Sequence, residues 1–223
     1  MSAGARVAFF DLDRTLIDVN SGRLWVRAER RAGLLSAGQV ARASWWLLRY
    51  HLGWADLDAP LRAAVRALEG QREEHMEERV ARFYEEEVRH RVRPEARAAL
   101  EERRARGDHL ALLTTSSVYL AGHFARDLGL HASLANAFEV RAGVFTGEPA
   151  GELCFGAGKL RAAARYAQEV GADLRSCSFY TDSFADLPLL EVVGEPVAVC
   201  PDRLLEGEAR RRGWRVARWS PAP

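Results

Sequence analysis

Lysine is almost absent from this chain. Of its 32 basic residues 31 are arginine, and Lys159 stands alone. Cysteine is scarce too: Cys154, Cys177 and Cys200 lie far apart with no CxxC spacing, which excludes a disulfide framework and a cysteine-based zinc site. The six histidines are scattered and form no ligand pair. A net charge of +1 leaves no global field to draw nucleic acid or an anionic membrane surface. No apolar run approaches the roughly 20 residues of a membrane span. The longest apolar run before Asp11 is the four residues Val7 to Phe10, too short for a signal-peptide core. These absences together lead us to expect a cytoplasmic protein, in a reducing compartment, that acts on neither nucleic acid nor membrane. No repeat or low-complexity linker interrupts the 223 residues, enough for one large domain with an insertion.

What is present begins with VAFFDLDRTLID, residues 7 to 18. Val7 to Phe10 is rich in β-branched and aromatic side chains and reads as a strand buried on both faces. In extended chain residues i and i+2 point the same way, so Asp11 and Asp13 can face one crevice at roughly 6 to 7 Å between Cα atoms. Two like charges that close invite a proton or a cation. Aspartate also simply ends strands and starts turns, and this stretch alone does not separate the two readings.

After Asp18 long helical patterns persist to about Arg93. In QVARASWWLLRYHL, residues 39 to 52, apolar side chains fall nearly all round the helix apart from Arg42 and Arg49, as in a buried helix. REEHMEERVARFYEEEVRH, residues 72 to 90, puts Met76, Val80, Phe83 and Val88 on one face. Trp25, Trp45, Trp46 and Trp54 fall in the same stretch and are expected to build its core. From Pro94 helices and strands alternate: a helix from Pro94 to Gly107, a strand in HLALLTT, a helix in SVYLAGHFARDLG, a hairpin turning at Ala142 and Gly143, a helix in GKLRAAARYAQEVG, and strands in SCSFYT, EPVAVC and RVARW separated by helices. That alternation implies an α/β fold with a doubly wound, largely parallel sheet and a site at the carboxyl ends of its strands.

Further polar groups stand where strands finish. Thr114 and Thr115 could hold an anion through hydroxyls and backbone N–H groups at a helix entrance, and they equally suit an N-cap. Asp182 follows the strand SCSFYT, with Asp186 four residues on. Ser183 and Asp186 fit a capping box, or Asp186 alone a cap with Pro188 in the first turn; Asp182 is explained by neither. A chain that uses arginine nearly everywhere yet keeps one lysine points to a place for a compact ammonium that a planar fork cannot fill. Carboxylates converging with one lysine and a threonine-rich loop make electrical sense around a hard cation such as Mg²⁺, and phosphoryl transfer needs that combination.

At this point the chain resembles a known family. D11-L-D13-R-T15, the strand-ending Thr114, Lys159 and D182-S-F-A-D186-L-P are similar to the four ordered motifs of the haloacid dehalogenase (HAD) superfamily, in its phosphoserine-phosphatase-like branch. The resemblance covers nearly the whole chain. It implies a Rossmann-like core from residues 1–17 and 94–223, a helical cap over 18–93, and a small hairpin at 137–150 within the core. It implies Asp11 as nucleophile, Asp13 as acid and base, and Thr114, the Thr115 amide and Lys159 on the phosphate. It also implies Mg²⁺ on Asp11, the Asp13 carbonyl oxygen and Asp182, with Asp186 supporting Lys159 and the metal shell. The second aspartate favours a phosphatase that hydrolyses a small phosphomonoester through an aspartyl-phosphate. A phosphotransferase or phosphomutase would share that intermediate.

Two departures bear on the substrate. Phosphoserine phosphatases usually carry Glu nine residues past the nucleophile, where this chain has Asn20, and Asn before the last motif aspartate, where it has Ala185. Asn20 cannot neutralise an ammonium, so a leaving group that is neutral, polar or partly apolar is expected over phosphoserine. GELCFGAGKL, by contrast, fails as a phosphate-binding P-loop, because Leu153 and Leu160 stand where that motif needs Gly and Ser or Thr.

Overall fold

The computed structural model describes residues 4–35, 38 and 58–223. The reading of residues 39 to 52 as a buried helix, and of Trp45, Trp46 and Trp54 as core, lies outside the described residues. Strand β1, Val7–Phe10, enters a tight loop and helix α1, Ser21–Arg31. Helices α2, Asp58–Arg66, and α3, Glu73–Phe83, follow, and α4, Pro94–Ala105, returns the chain to strand β2, His109–Ser117. Then come α5, Val118–Asp127, β3, Ala132–Asn136, and the hairpin strands β4, Phe138–Arg141, and β5, Val144–Pro149. The chain finishes through α6, Ala157–Glu169, β6, Ser178–Thr181, α7, Leu187–Leu190, β7, Glu195–Val199, α8, Arg203–Arg212, and β8, Arg215–Ala217.

Six strands form one sheet in the order β3-β2-β1-β6-β7-β8, every neighbouring pair parallel. The fold is thus the doubly wound α/β sheet expected. Strand alternation explains why β1 is apolar throughout: Ala8 and Phe10 enter one core cluster, Val7 and Phe9 the other. All four are at most 1% exposed. Burying a side chain such as Phe9 contributes about 1.5–3 kcal/mol, so this strand is anchored from both faces. Order reverses at β1, with β2 on one side and β6 on the other, and the crevice at such a reversal opens at the strands' carboxyl ends.

Met76, Val80, Phe83 and Val88 are all buried, as their spacing predicts. The helix does not run unbroken to His90, however. After Phe83 it widens into a π turn, Tyr84–Val88, and then a 3₁₀ turn, Arg89–Arg91. The wider turn lets consecutive Phe83 and Tyr84 both be buried, with Tyr84 Oη donating to Asp127 over 2.6 Å. Trp25 packs edge-on to Phe83 at 5.2 Å beside a cavity of ≈ 390 Å³ between α1 and α3.

The hairpin turns at Ala142 and Gly143, both at positive φ, as a two-residue turn of this hand requires. It also extends to the helical segment. Arg72 and Val144 form an antiparallel bridge, Gly70 N–H donates to Phe145 O at 3.0 Å, Phe145 N–H to Gln71 O at 2.9 Å, and Glu73 N–H to Gly143 O at 3.0 Å.

Candidate active site

The carboxyl end of β1 is fixed first by backbone. Asp11 N–H donates to Tyr180 O of β6 at 2.9 Å, and the loop then turns sharply enough that Arg14 takes a left-handed conformation, φ 59°. Arg14 N–H donates to Val19 O at 3.0 Å. From the start of α4, buried Arg93 donates to Arg14 O at 3.3 Å and to Trp219 O and Ser220 O at 3.0 and 2.8 Å. These bonds hold a backbone that an L-residue adopts only at a cost.

Asp11, 6% exposed, accepts through Oδ1 from Lys159 Nζ at 2.7 Å. Lys159 Nζ donates also to Asp186 Oδ2 at 2.9 Å, and Thr181 Oγ1 donates to the same Asp186 oxygen at 2.6 Å. Asp186 therefore does not cap a helix; Ser183 does, accepting from Ala185 N–H. Two glycines seat the lysine. Gly156 sits at φ 52° ahead of α6, and a Cβ on Gly158 would meet Leu153 O at 2.0 Å. The GAGK stretch is therefore a close-packed helix entry that aims Lys159 at the end of β1.

Asp13, half-buried, accepts through Oδ1 from Ser21 N–H at 2.9 Å, so the first residue of α1 orients it. Asp182, 7% exposed at the end of β6, finds no hydrogen-bonding partner for its carboxylate among the described residues. Thr114 is 2% exposed, and its Oγ1 accepts from Ser116 N–H at 3.1 Å. The cap of α5 is Ser117, three residues on, so Thr114 and Thr115 remain at the strand end. Asn20 caps α1 by accepting from Arg23 N–H at 2.9 Å.

Sequence reasoning passed over Ser21, and over Asn136 as well. Asn136, 2% exposed at the end of β3, donates to Thr115 O at 2.6 Å and accepts from Cys154 N–H at 2.7 Å. It ties the threonine loop to the loop that leads into Lys159. The Asn136 amide carries both the donor that a carbonyl needs and the acceptor that an N–H needs, but without β3 in view nothing in ASLAN marks it.

Burial is the main influence on the carboxyls. It raises Asp11 to about 7 against the pull of Lys159, with Asp186 and Asp13 adding repulsion. Burial and then the nearby Asp11 hold Asp182 well above the carboxylate range. Burial also raises Asp13, opposed by Ser21. Burial disfavours the Lys159 ammonium, yet Asp11 and Asp186 outweigh it and hold the pKa well above the usual value. One ammonium thus faces four carboxylates, and Asp182 lacks a donor. Among the described residues no group of three or more His, Cys, Asp or Glu side chains stands ready to hold a metal. Asp11 and Asp182 with the Asp13 carbonyl oxygen need only two carboxylates, and a hard cation that completes its shell from water and phosphate fits them.

The family described as haloacid dehalogenase-like hydrolase matches residues 8–191. The chain belongs to it. A phosphoserine phosphatase of Mycobacterium tuberculosis is 31% identical over 214 residues, 94% of this chain and 69% of the relative. A histidinol-phosphatase of Neisseria meningitidis serogroup C is 30% identical over 215 residues, 94% of this chain and 97% of the relative. A solved Bordetella pertussis structure, described as a protein with unknown function, superposes with a TM-score of 0.85 at 28% identity, covering 96% of this chain and 99% of that one. Within the haloacid dehalogenase-like hydrolases the chain falls in the phosphoserine-phosphatase-like branch. Among the described residues no helix is long and apolar enough to cross a membrane.

Proposed function

We propose that the protein is a Mg²⁺-dependent phosphoric monoester hydrolase that works through a phosphoryl group carried on Asp11. The observation that carries this reading is the bond from Lys159 to Asp11 Oδ1, which leaves Oδ2 for attack on phosphorus. Thr114, the Thr115 amide and Lys159 would hold the phosphoryl oxygens, which fixes the ester in line with Oδ2. As the Asp11–phosphorus bond forms and the ester P–O bond breaks, Asp13 gives its proton to the departing oxygen. Burial raises its pKa, which favours the protonated form that a general acid needs. Asp13 then takes a proton from the water that attacks the aspartyl-phosphate, and inorganic phosphate and free Asp11 are released. Mg²⁺, held by Asp11, the Asp13 carbonyl oxygen and Asp182, would neutralise charge on the phosphoryl oxygens.

The relatives named phosphoserine phosphatase and histidinol-phosphatase support a small organic phosphate as substrate. Asn20, an uncharged cap in place of a carboxylate, weighs against recognition of an ammonium. The test is a phosphate-release screen across small phosphomonoesters with Mg²⁺ and with EDTA, on the wild-type protein and on Asp11→Asn. Release that needs both Mg²⁺ and Asp11 supports the reading; release unaffected by EDTA or by Asp11→Asn refutes it. A phosphotransferase would show itself by faster turnover when an alcohol acceptor is added.

A further inference from the structure

Three arginines around the catalytic loop have no counterpart in that mechanism. Arg14 directly follows Asp13 and Leu16 N–H closes the same loop onto Asp11 O at 3.3 Å. Arg23 lies in the first turn of α1, two residues after the Ser21 that holds Asp13. Arg27 is one turn further along, and i, i+4 positions share a helix face. The three are electrically in contact: burial, then Arg14, then Arg27 push the Arg23 guanidinium below its usual pKa. Arg14 also reaches the catalytic carboxylates, pulling against the burial that raises Asp182 and Asp13.

Two of these placements are unfavourable on their own, while Arg27 is exposed. Arg14 occupies a left-handed conformation, φ 59°, that glycine would adopt without strain. Arg23 sits near the positive end of a helix, where acids are favoured and cations are not, and the first turn of α1 holds no acidic residue. The one carboxylate in α1, Glu29, is buried against Arg79. None of the guanidinium groups of Arg14, Arg23 and Arg27 has a hydrogen-bonding or ion-pair partner among the described residues. Some helical arginines elsewhere are matched within a turn, as Arg210 is by Glu206 and Arg211 by Glu208. A strained backbone and uncompensated like charges beside a reaction centre suggest a ligand that supplies the missing anion.

We propose that Arg14, Arg23 and Arg27 form an anion subsite for the leaving group, so that the preferred substrate is a phosphomonoester bearing a second acidic group a few bonds from the ester oxygen. This rests on the phosphatase reading above and replaces the expected neutral leaving group with an anionic one. A carboxylate and a second phosphate both meet the requirement, since a guanidinium fork pairs with either. An ammonium in the same place would be repelled.

The experiment compares kcat/KM for four esters: glycerol 3-phosphate, 3-phosphoglycerate, glycerol 1,3-bisphosphate and phosphoethanolamine. Wild-type protein should favour at least one of the two anionic esters over glycerol 3-phosphate by about tenfold or more, as loss of a charge-assisted contact implies, and should place phosphoethanolamine last. Whichever anionic ester leads identifies the group. The ratio should shrink in 0.5 M salt and fall to about threefold or less in Arg23→Gln/Arg27→Gln and in Arg14→Gly. Arg14→Gly guards against a folding artefact, because it relieves the left-handed strain and should keep or raise Tm while losing the preference. A wild-type ratio near one, or variants that keep the ratio, overturns the subsite. Absence of turnover on every ester overturns the phosphatase reading instead, and the same ratios are then read as Kd values by calorimetry in Mg²⁺ buffer, with the same thresholds deciding for or against the subsite.

Discussion

Lys159 Nζ donates to Asp11 Oδ1 over 2.7 Å, joining residues 148 positions apart in the chain. This contact brings the only lysine to the first carboxylate of the sequence, with Asp186 closing the other side. Lys159→Met would leave two buried carboxylates without a counter-charge, at a cost of about 3 to 5 kcal/mol. Lys159→Arg would keep the charge but not the compact shape. Both should lower kcat by roughly 10²–10³ if the ammonium stabilises charge on the phosphoryl group. Steady-state kinetics with phosphate detection decide it, and near-wild-type turnover in Lys159→Arg would mean that the lysine is an accident of composition.

The same ion pair makes the amine unreactive. Acylating reagents need the neutral amine, whereas Lys159 is 3% exposed and its carboxylate partners hold it charged. Peptide mapping after treatment with an N-hydroxysuccinimide ester should find Lys159 unmodified in the native protein and modified in urea.

Asp11 gives a pH dependence whose sign is set by burial. Its pKa rises from 3.8 to about 7 on folding, so the folded metal-free protein holds this proton more tightly than the unfolded chain. The stability it contributes is fully present below pH 3.8 and is lost as pH rises through 7. In EDTA the urea midpoint should therefore fall between pH 5 and pH 8, and Asp11→Asn should flatten that fall. Added Mg²⁺ should flatten it as well, by binding the ionised form.

Gly158 tests the seating of the lysine. A methyl group there would lie 2.0 Å from Leu153 O, a backbone atom that cannot step aside, so the first turn of α6 must shift. Gly158→Ala should destabilise the fold by about 1–3 kcal/mol and reduce kcat by more than tenfold through displacement of Nζ. A change in stability with kcat intact would separate the packing role from the catalytic one.

Asn136 tests the loop clamp. Asn136→Leu removes the partners of Thr115 O and Cys154 N–H, each worth about 1–3 kcal/mol when left buried and unpaired. Urea titration should register the loss of stability. Weaker product inhibition by inorganic phosphate should accompany it, because the clamp holds the Thr115 loop.

Much of this site was legible because its residues break local patterns. Asp11 and Asp13 interrupt an apolar run, Lys159 interrupts a chain of arginines, and Asp182 ends a buried strand. What stayed hidden follows local rules. Asp186 obeys the local rules of a helix cap, so the resemblance and not its spacing set it beside Lys159, to which it is bonded. β3 is ASLAN, an edge strand poor in β-branched residues, so neither propensity nor alternation announced it and Asn136 went with it. Asn20 was read through a resemblance as a substrate contact, and its Oδ1 is engaged as a cap. The break after Phe83 escaped because the apolar spacing fits an α-helix and a π turn alike.

The hairpin β4-β5 lies more than 60 residues beyond Glu73, yet three of its backbone contacts go to Gly70, Gln71 and Glu73. A recombination experiment that exchanged residues 18–93, the span we propose as a cap, for the matching segment of a relative would replace the Gln71 carbonyl that accepts from the hairpin's Phe145 N–H, and Phe145 is 2% exposed. The unit that can be transplanted is therefore discontinuous in sequence. A chimaera that carries residues 137–150 along with residues 18–93 should fold, whereas one cut at 18 and 93 alone inherits an orphaned strand edge.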